Sequence, residues 1–245
     1  MDIVKSGRFK DAPWFPKRET DVIVGGSGGI GSWLTLLLAR ANFLPMVFDF
    51  DTIEEHNIGG QLFSQKHISS TKVDAIAEVV KDFADTDITK FNEKYTEESM
   101  SHCYVFSAFD NMKARKDMFA AWKKYVAKWE AAKEAGASTC PEEEWDTPIF
   151  IDGRLTMEQL QIFCITPDRA DAYEKDHLFD DSEVPDAPCT MKQTSHSAAM
   201  IAGHMTAFFT NHIANNQTAC LDRNIPFMWE YFIPVGYVNE VTIDE

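Results

Sequence analysis

The residues with the clearest chemical potential form a glycine-rich run near the start of the chain. The run follows a short apolar stretch, Asp21 to Val24, and precedes a strongly apolar segment that begins at Trp33. Its pattern, Gly-x-Gly-Gly-x-Gly, comprises Gly26, Gly28, Gly29 and Gly31. Glycines in such a turn let the backbone approach a phosphate, and the following helix offers N–H donors and the positive end of its dipole. The run therefore predicts a nucleotide-binding turn between a strand and a helix.

Asp49 is the expected second contact of that nucleotide. It lies in another apolar run, Pro45 to Phe50, which follows the predicted helix and is closed by Asp49 and Asp51. Strand, glycine turn, helix and strand then form a βαβ unit, in which an acidic residue at the end of the second strand binds ribose hydroxyls. This pattern suits NAD, FAD or ATP equally.

The residues after the second strand distinguish between these nucleotides. The segment from Asp49 to Phe63, then Lys72, then the pair Asp110-Asn111, resembles the ThiF-type adenylyltransferases in order and spacing. That superfamily includes the MoeB-like enzymes and the adenylation domains of ubiquitin-activating enzymes, and the resemblance extends over roughly residues 20 to 215. It implies an enzyme that uses ATP and Mg²⁺ to adenylylate a carboxylate, with release of pyrophosphate.

The resemblance also implies a role for each matching position. Lys72 would place a point charge on the phosphates, and Asp110 would be the metal ligand that holds Mg²⁺ next to the reacting α-phosphate. The other residues implied to contact the nucleotide are the glycines of the run, Asp49 at the ribose, Asn57 and Gln61 at the triphosphate side, and Asp51 and Asn111. Positioning and charge neutralisation supply most of the catalysis in such a displacement, so no protein nucleophile is needed.

One position departs from the family pattern. Where the family has Asn-x-x-Arg-Gln, this chain has Gly60 in place of the arginine, which removes a charge-assisted fork from the phosphate site. We expect Arg154 to replace it as a catalytic residue, because Arg154 follows a strand candidate that should end near the same edge. Arg8 and Arg18 of the N-terminal arm are weaker candidates. A surface ion pair with the acidic loops is the alternative role of Arg154.

Cys189 is the candidate for a second catalytic step. Many relatives pass the activated carboxylate to a cysteine, and others stop at the adenylate. Cys189 follows an acidic, irregular stretch and precedes a predicted helix, where a thiol has a lowered pKa. A cysteine that only packs at the helix start is the alternative.

The apolar runs predict an α/β fold, a Rossmann-like and mainly parallel sheet flanked by helices, with added C-terminal strands and a helix. Strands are expected near 21–24, 45–50, 88–95, 103–109, 148–151, 160–165 and 227–243. Helices are expected after the glycine run and over 71–84, 113–134 and 195–212, with irregular loops at 135–147 and 166–188. We expect a single adenylation domain (1–245), divided into an arm (1–20), a nucleotide-binding core (21–165) and a crossover with the C-terminal portion (166–245).

Composition excludes several other classes of protein. The 245 residues carry 23 basic and 39 acidic side chains, a formal charge of −16, without a concentrated basic stripe, so a nucleic-acid partner is not expected. No apolar run is long enough to span a bilayer, which argues against a membrane partner. Five cysteines without a close pair disfavour a disulfide framework and indicate a cytoplasmic location.

The resemblance to the ThiF-type enzymes implies an adenylyltransferase whose substrate is the C-terminal glycine of a ubiquitin-like or sulfur-carrier protein, or of a peptide. By resemblance we expect a homodimer. Two alternatives remain at this stage. One is a Rossmann oxidoreductase that uses NAD, and the other is a non-catalytic nucleotide-binding or scaffold protein, which Gly60 makes plausible.

Overall fold

The structure is a computed structural model that describes residues 9–136, 146–156, 158–180, 194–218 and 220–242. The strands of this part of the chain form one eight-stranded mixed sheet. The strands are β1 (Asp21–Gly25), β2 (Leu44–Phe48), β3 (Thr89–Phe91), β4 (Tyr104–Ser107), β5 (Ile149–Thr156), β6 (Gln159–Ile165), β7 (Met228–Phe232) and β8 (Tyr237–Val241). Their order across the sheet is β3-β2-β1-β4-β5-β6-β7-β8. The helices are α1 (Gly29–Arg40), α2 (Lys72–Ala84), α3 (Met112–Glu134), α4 (Ala170–His177) and α5 (Ser195–Gln217).

The sheet changes direction at β5. Strands β3, β2, β1, β4 and the first half of β5 are parallel, whereas β6, β7 and β8 are antiparallel to their neighbours. β5 pairs with β4 only from Ile149 to Asp152 but with β6 from Phe150 to Thr156, so it extends beyond the carboxyl edge of the parallel half. The register also aligns three strand ends, because Gly25 of β1 is opposite both Phe48 of β2 and Ser107 of β4.

Helices cover both faces of the sheet, because each helix has one apolar stripe to bury. One core joins α1, α2 and α5 to the sheet through residues such as Leu34, Ile76 and Phe209. The other core joins α3 and α4 through Trp122 and Tyr173, both fully buried. α2 and α3 begin at N-caps, where the side-chain oxygens of Thr71 and Asn111 accept a backbone N–H.

The predicted fold class is confirmed, and two segments differ from the sequence prediction. Asp152, Gly153 and Arg154 lie inside β5 rather than after it, because antiparallel pairing with β6 carries the strand onward. Residues 170–177 form α4 where an irregular stretch was expected, and α4 buries only Ala170 and Tyr173, too few to give a helical periodicity. Among the described helices, none has both the length and the apolarity that crossing a bilayer requires.

Candidate functional site

The glycine turn connects β1 to α1 at the carboxyl edge of the parallel strands. Gly26 has a φ of +85°, a region that L side chains rarely adopt, and its N–H donates to the Phe48 carbonyl (2.8 Å). A Cβ at Gly31 would lie 1.8 Å from the Gly26 carbonyl oxygen, whereas a Cβ at Gly28 would meet no described atom within 4 Å. The turn is therefore packed closely on its inner side and open at Gly28, the N-cap of α1, where a phosphate could approach the helix N-terminus.

Asp49 is bonded directly to that turn. Its two carboxylate oxygens accept the backbone N–H groups of Ser27 (2.7 Å) and Asp51 (2.9 Å). Asp49 is buried, and burial raises its pKa, against the lowering effects of Lys72 and the two N–H groups. The structure thus holds the Asp49 carboxylate beside the glycine turn.

Lys72, the first residue of α2, brings a positive charge to the same place. Its Nζ lies 2.6 Å from Asp51 Oδ2 and 3.9 Å from Asp49 Oδ2. The backbone fixes this arrangement, because the Lys72 N–H donates to the Asp51 carbonyl (2.9 Å). The ammonium group is mostly buried between two carboxylates, so an incoming phosphate would compete with Asp51 for it.

The segment that contains Asn57 and Gln61 is hydrogen-bonded to the first turn of α1. Asn57 Oδ1 accepts the Glu54 N–H (2.9 Å), and the Asn57 carbonyl accepts the Gln61 N–H (3.0 Å). The Leu62 N–H donates to Ser32 Oγ (3.0 Å) in the first turn of α1. Gln61 Oε1 is buried without a hydrogen-bond partner among the described residues. This segment is therefore ordered by its own backbone and contains an unsatisfied acceptor.

Asp110 and Asn111 form the turn between β4 and α3. Asn111 Oδ1 caps α3 by accepting the Ala114 N–H (2.8 Å), and its Nδ2 donates to Asp110 Oδ1 (3.2 Å). Asp110 is exposed. Within the described ranges, no group of three or more His, Cys, Asp or Glu side chains could hold a metal. A single exposed carboxylate fits Mg²⁺, which usually takes one or two protein carboxylates and completes its shell with phosphate oxygens and water.

Arg154 has its guanidinium engaged inside the fold. Nε donates to Asp152 Oδ2 (2.7 Å), and Nη2 donates to the Tyr173 hydroxyl (3.1 Å) and to the His177 carbonyl (2.9 Å). The guanidinium also lies 4.6 Å from the centre of the Phe163 ring. Arg154 thus makes an ion pair, as its alternative role required, but with a fully buried carboxylate rather than with an acidic loop at the surface.

Of the other proposed residues, the structure describes only Arg18, which lies away from the glycine turn. Arg18 pairs with Asp146 (2.7 Å), which precedes β5 at the amino edge of the sheet, opposite the glycine turn. Arg8 and Cys189 lie outside the described residues.

Sequence reasoning missed Arg115 and Asp152. Arg115 Nη1 donates to Asp152 Oδ1 and to the Gly153 carbonyl (3.1 Å), and Nη2 donates to the Phe109 carbonyl. Asp152 would carry a raised pKa from burial alone, but Arg115 and Arg154 hold its pKa below the usual value. The only signal in the sequence is a charged residue within an apolar run, at Asp152.

Together these elements lie at one edge of the sheet. The glycine turn follows Gly25, Asp49 follows Phe48, and the Asp110 turn follows Ser107, and these three strand ends are register neighbours. Open α/β sheets bind ligands at this edge, where the strand order reverses, and here the order reverses between β1 and β4. The arrangement offers phosphate donors, a ribose acceptor, a cation and a carboxylate for a metal.

Comparison with known proteins identifies the family of this chain. The model of the ThiF family matches residues 17–232. A SUMO-activating enzyme subunit, uba-2 of Caenorhabditis elegans, is 36% identical over 116 residues, which are 42% of this chain and 20% of that protein.

Solved structures share the fold at low identity. Escherichia coli MccB with ATP superimposes with a TM-score of 0.62 at 13% identity, over 92% of this chain and 64% of that one. The E. coli tRNA N6-threonylcarbamoyladenosine dehydratase TcdA, in complex with ATP, gives a TM-score of 0.58 at 13% identity, over 89% of this chain and 95% of that one. The chain thus spans about two thirds of MccB and a fifth of the nematode protein. The match over residues 17–232 shows that the chain belongs to the ThiF family.

Proposed function

We propose that the chain is an ATP- and Mg²⁺-dependent adenylyltransferase that activates a carboxylate. The observation that carries the proposal is the register of β2, β1 and β4, which brings Asp49, the glycine turn and Asp110 to one edge. The solved ATP complexes of MccB and TcdA support ATP as the nucleotide.

In the proposed reaction the substrate carboxylate attacks the α-phosphorus of ATP. A bond forms between the carboxylate oxygen and phosphorus, the bond to the bridging oxygen of the β-phosphate breaks, and pyrophosphate leaves. The N-terminus of α1 and the Lys72 ammonium group stabilise the phosphate charge, while Asp49 fixes the ribose. Asp110, with Asn111 beside it, would hold Mg²⁺, which supplies further charge neutralisation when bound.

The proposed substrate is the C-terminal glycine of a ubiquitin-like or sulfur-carrier protein, or of a peptide. The relative that activates SUMO supports a protein tail as the substrate. We also propose a cytoplasmic homodimer, which sedimentation of the purified chain tests directly. A monomer at micromolar concentration would contradict the dimer.

The test of the activity is ATP–pyrophosphate exchange with Mg²⁺ and a panel of peptides and carrier proteins that end in Gly-Gly. We expect exchange with at least one member and its loss in Asp110→Asn. Asp87→Asn, which changes an exposed aspartate paired with Lys81 (3.1 Å), is the matched control and should keep the activity. Equal activity of the Asp110→Asn variant and the wild type would contradict the assignment of Asp110.

Cys189 is proposed as the acceptor of the activated carboxylate: its thiolate would attack the acyl carbon of the adenylate, a thioester would form, the acyl–phosphate bond would break and AMP would leave. We expect Cys189→Ser to keep pyrophosphate exchange but to lose a thiol-sensitive adduct with the carrier protein. Cys220→Ser removes an exposed cysteine and is the control. An adduct that survives in Cys189→Ser would contradict this role.

Gly60 favours a second function, that of a non-catalytic nucleotide-binding protein. The family arginine is absent there, and Arg154 already bonds to Asp152. ATP binding without exchange across the whole panel would support this alternative.

A further inference from the structure

Asp152 stands at the centre of a buried charge cluster beside the proposed site. It is fully buried at the point where β5 leaves β4, and Ser107 at the end of β4 is its register partner. Arg115 binds one of its carboxylate oxygens, while Arg154 Nε (2.7 Å) and the Tyr173 hydroxyl (2.9 Å) donate to the other. We call Arg115, Asp152 and Arg154 the buried ion cluster.

Such a cluster imposes a geometry more than it adds stability. Removing two cations and a carboxylate from water costs several kcal/mol per ion, and well-packed apolar residues often replace such groups without loss of stability. The same low-dielectric surroundings make each hydrogen bond strong and any displaced partner costly. The cluster therefore holds its members in one arrangement.

Arg115 connects this arrangement to the Asp110 turn. Its Nη2 donates to the carbonyl of Phe109, the residue immediately before Asp110, while its Nη1 is held by Asp152 and the Gly153 carbonyl. The Phe109 ring in turn packs on the end of β1 and the glycine turn, since a Cβ would lie 2.5 Å from the ring at Gly25 and 3.2 Å from it at Gly26. The backbone that carries Asp110 is thus anchored on one side by Arg115 and on the other by the Asn111 cap.

We infer that Arg115, oriented by Asp152, is a positioning residue that fixes the Asp110 turn for the magnesium–nucleotide complex. This inference rests on the proposed function, because it assumes that Asp110 holds Mg²⁺ beside ATP. Arg154 contributes by keeping Asp152 charged and oriented.

We expect the effect of Arg115 to depend on the metal, because Arg115 bonds to the Phe109 carbonyl, Asp152 and the Gly153 carbonyl. ATP without Mg²⁺ would contact the glycine turn, Asp49 and Lys72, and among the described residues Arg115 makes no hydrogen bond to these groups; its one described link to the glycine turn is indirect, through the Phe109 ring.

The test measures ATP affinity by calorimetry with and without Mg²⁺. Arg115→Lys keeps the charge but loses the planar fork that reaches two acceptors at once. We expect its Mg²⁺-free ATP affinity to stay within about twofold of the wild type, while the tightening produced by Mg²⁺ falls by about fivefold or more. Asp110→Asn should show the same loss, and the double variant should lose no more than either single variant.

Arg169→Lys is the control, because Arg169 is a half-buried arginine that, like Arg115, donates to a backbone carbonyl, that of Ile225 (2.9 Å), away from the site. It should keep the full effect of Mg²⁺. If Arg115→Lys does not fold, Asp152→Asn tests the same link, because it keeps the shape of the side chain but removes the charge that holds Arg115.

The outcomes separate this inference from the proposed function. If Asp110→Asn loses the Mg²⁺ effect but the Arg115 and Asp152 variants keep it, the positioning role is overturned and the proposed function stands. Losses that add in the double variant would also overturn it. If the wild type shows no tightening by Mg²⁺, both the role of Asp110 and the inference fall.

Discussion

Lys72 is the cation of the proposed site, and its described partners are two carboxylates. Its ammonium group lies 2.6 Å from Asp51 Oδ2 and 3.9 Å from Asp49 Oδ2. With ATP it would turn to the phosphates, which carry more charge than Asp51. The lysine is thus kept in place by the carboxylates that it must partly leave.

We predict that Lys72→Met weakens ATP binding by about tenfold or more, which is about 1.4 kcal/mol, because two carboxylates then face the phosphates without a cation. Calorimetry with ATP measures this directly. Lys90→Met removes an exposed lysine that pairs with Asp74 at 2.7 Å, and the ATP affinity of this variant should equal that of the wild type. Unchanged affinity in Lys72→Met would show that the phosphates lie elsewhere.

We predict that Arg154→Ala abolishes ATP-dependent turnover. The ATP affinity of this variant, measured with and without Mg²⁺, distinguishes a direct contact with the phosphates from an action through Asp152. If Arg154 takes the role of the family arginine that is absent at position 60, the Arg154→Ala variant binds ATP more weakly than the wild type even without Mg²⁺. If it acts through Asp152, the Mg²⁺-free affinity is retained and only the Mg²⁺ effect is lost. Full turnover in Arg154→Ala would exclude both roles.

At the scale of elements, two glycines at the start of α1 have different surroundings: Gly31 is closely packed, and Gly28 is open. A methyl group at Gly31 would collide with the Gly26 carbonyl oxygen, only 1.8 Å away, whereas a methyl group at Gly28 would meet no described atom within 4 Å. Both residues lie at the start of α1, so they form a matched pair for substitution. One of them determines how α1 packs, and the other determines what can approach it.

We predict that Gly31→Ala destabilises the protein by about 1–3 kcal/mol, because the methyl group has no space and the turn must shift. Gly28→Ala should change the free energy of unfolding less but weaken ATP binding by about tenfold, since its methyl group occupies the phosphate approach. Denaturant unfolding and calorimetry measure the two effects. Equal effects of both variants on stability, or on binding, would contradict this division.

How far the sequence predicts each element depends on whether its signal is local. β1, α1 and β2 follow from a glycine run between apolar stretches, and α2 from its helical periodicity. Arg115 and Asp152 are 37 residues apart in the chain, and they meet because of the β4–β5 register and the direction of one face of α3. No local pattern in the sequence therefore predicts this pair. α4 has only two buried residues, so its sequence carries little trace of the helix.

At the scale of the whole molecule, the described chain has the carboxylates of the proposed site at the carboxyl edge of the parallel strands and a buried histidine, His212, near the amino edge. His212 of α5 is buried, and its Nε2–H donates to the Thr147 carbonyl (2.7 Å), just before β5. Burial lowers the pKa of His212 from 6.5 to about 4, which the Thr147 carbonyl offsets only in part. A group outside the proposed site thus links the stability of the fold to pH.

The sign of this linkage follows from proton binding. Between pH 6.5 and 4 the unfolded chain protonates His212 while the folded chain keeps it neutral, so acid favours unfolding. We predict that the wild type loses about 3 kcal/mol from this group as the pH falls through that window. His212→Gln keeps an N–H for the Thr147 carbonyl. Between pH 6.5 and 4 its free energy of unfolding should fall by about 3 kcal/mol less than that of the wild type, whatever its stability at neutral pH. Urea unfolding at several pH values measures the difference, with the exposed His56→Gln as the control. If the pH dependence of His212→Gln runs parallel to that of the wild type, His212 is protonated equally in both states and the linkage is absent.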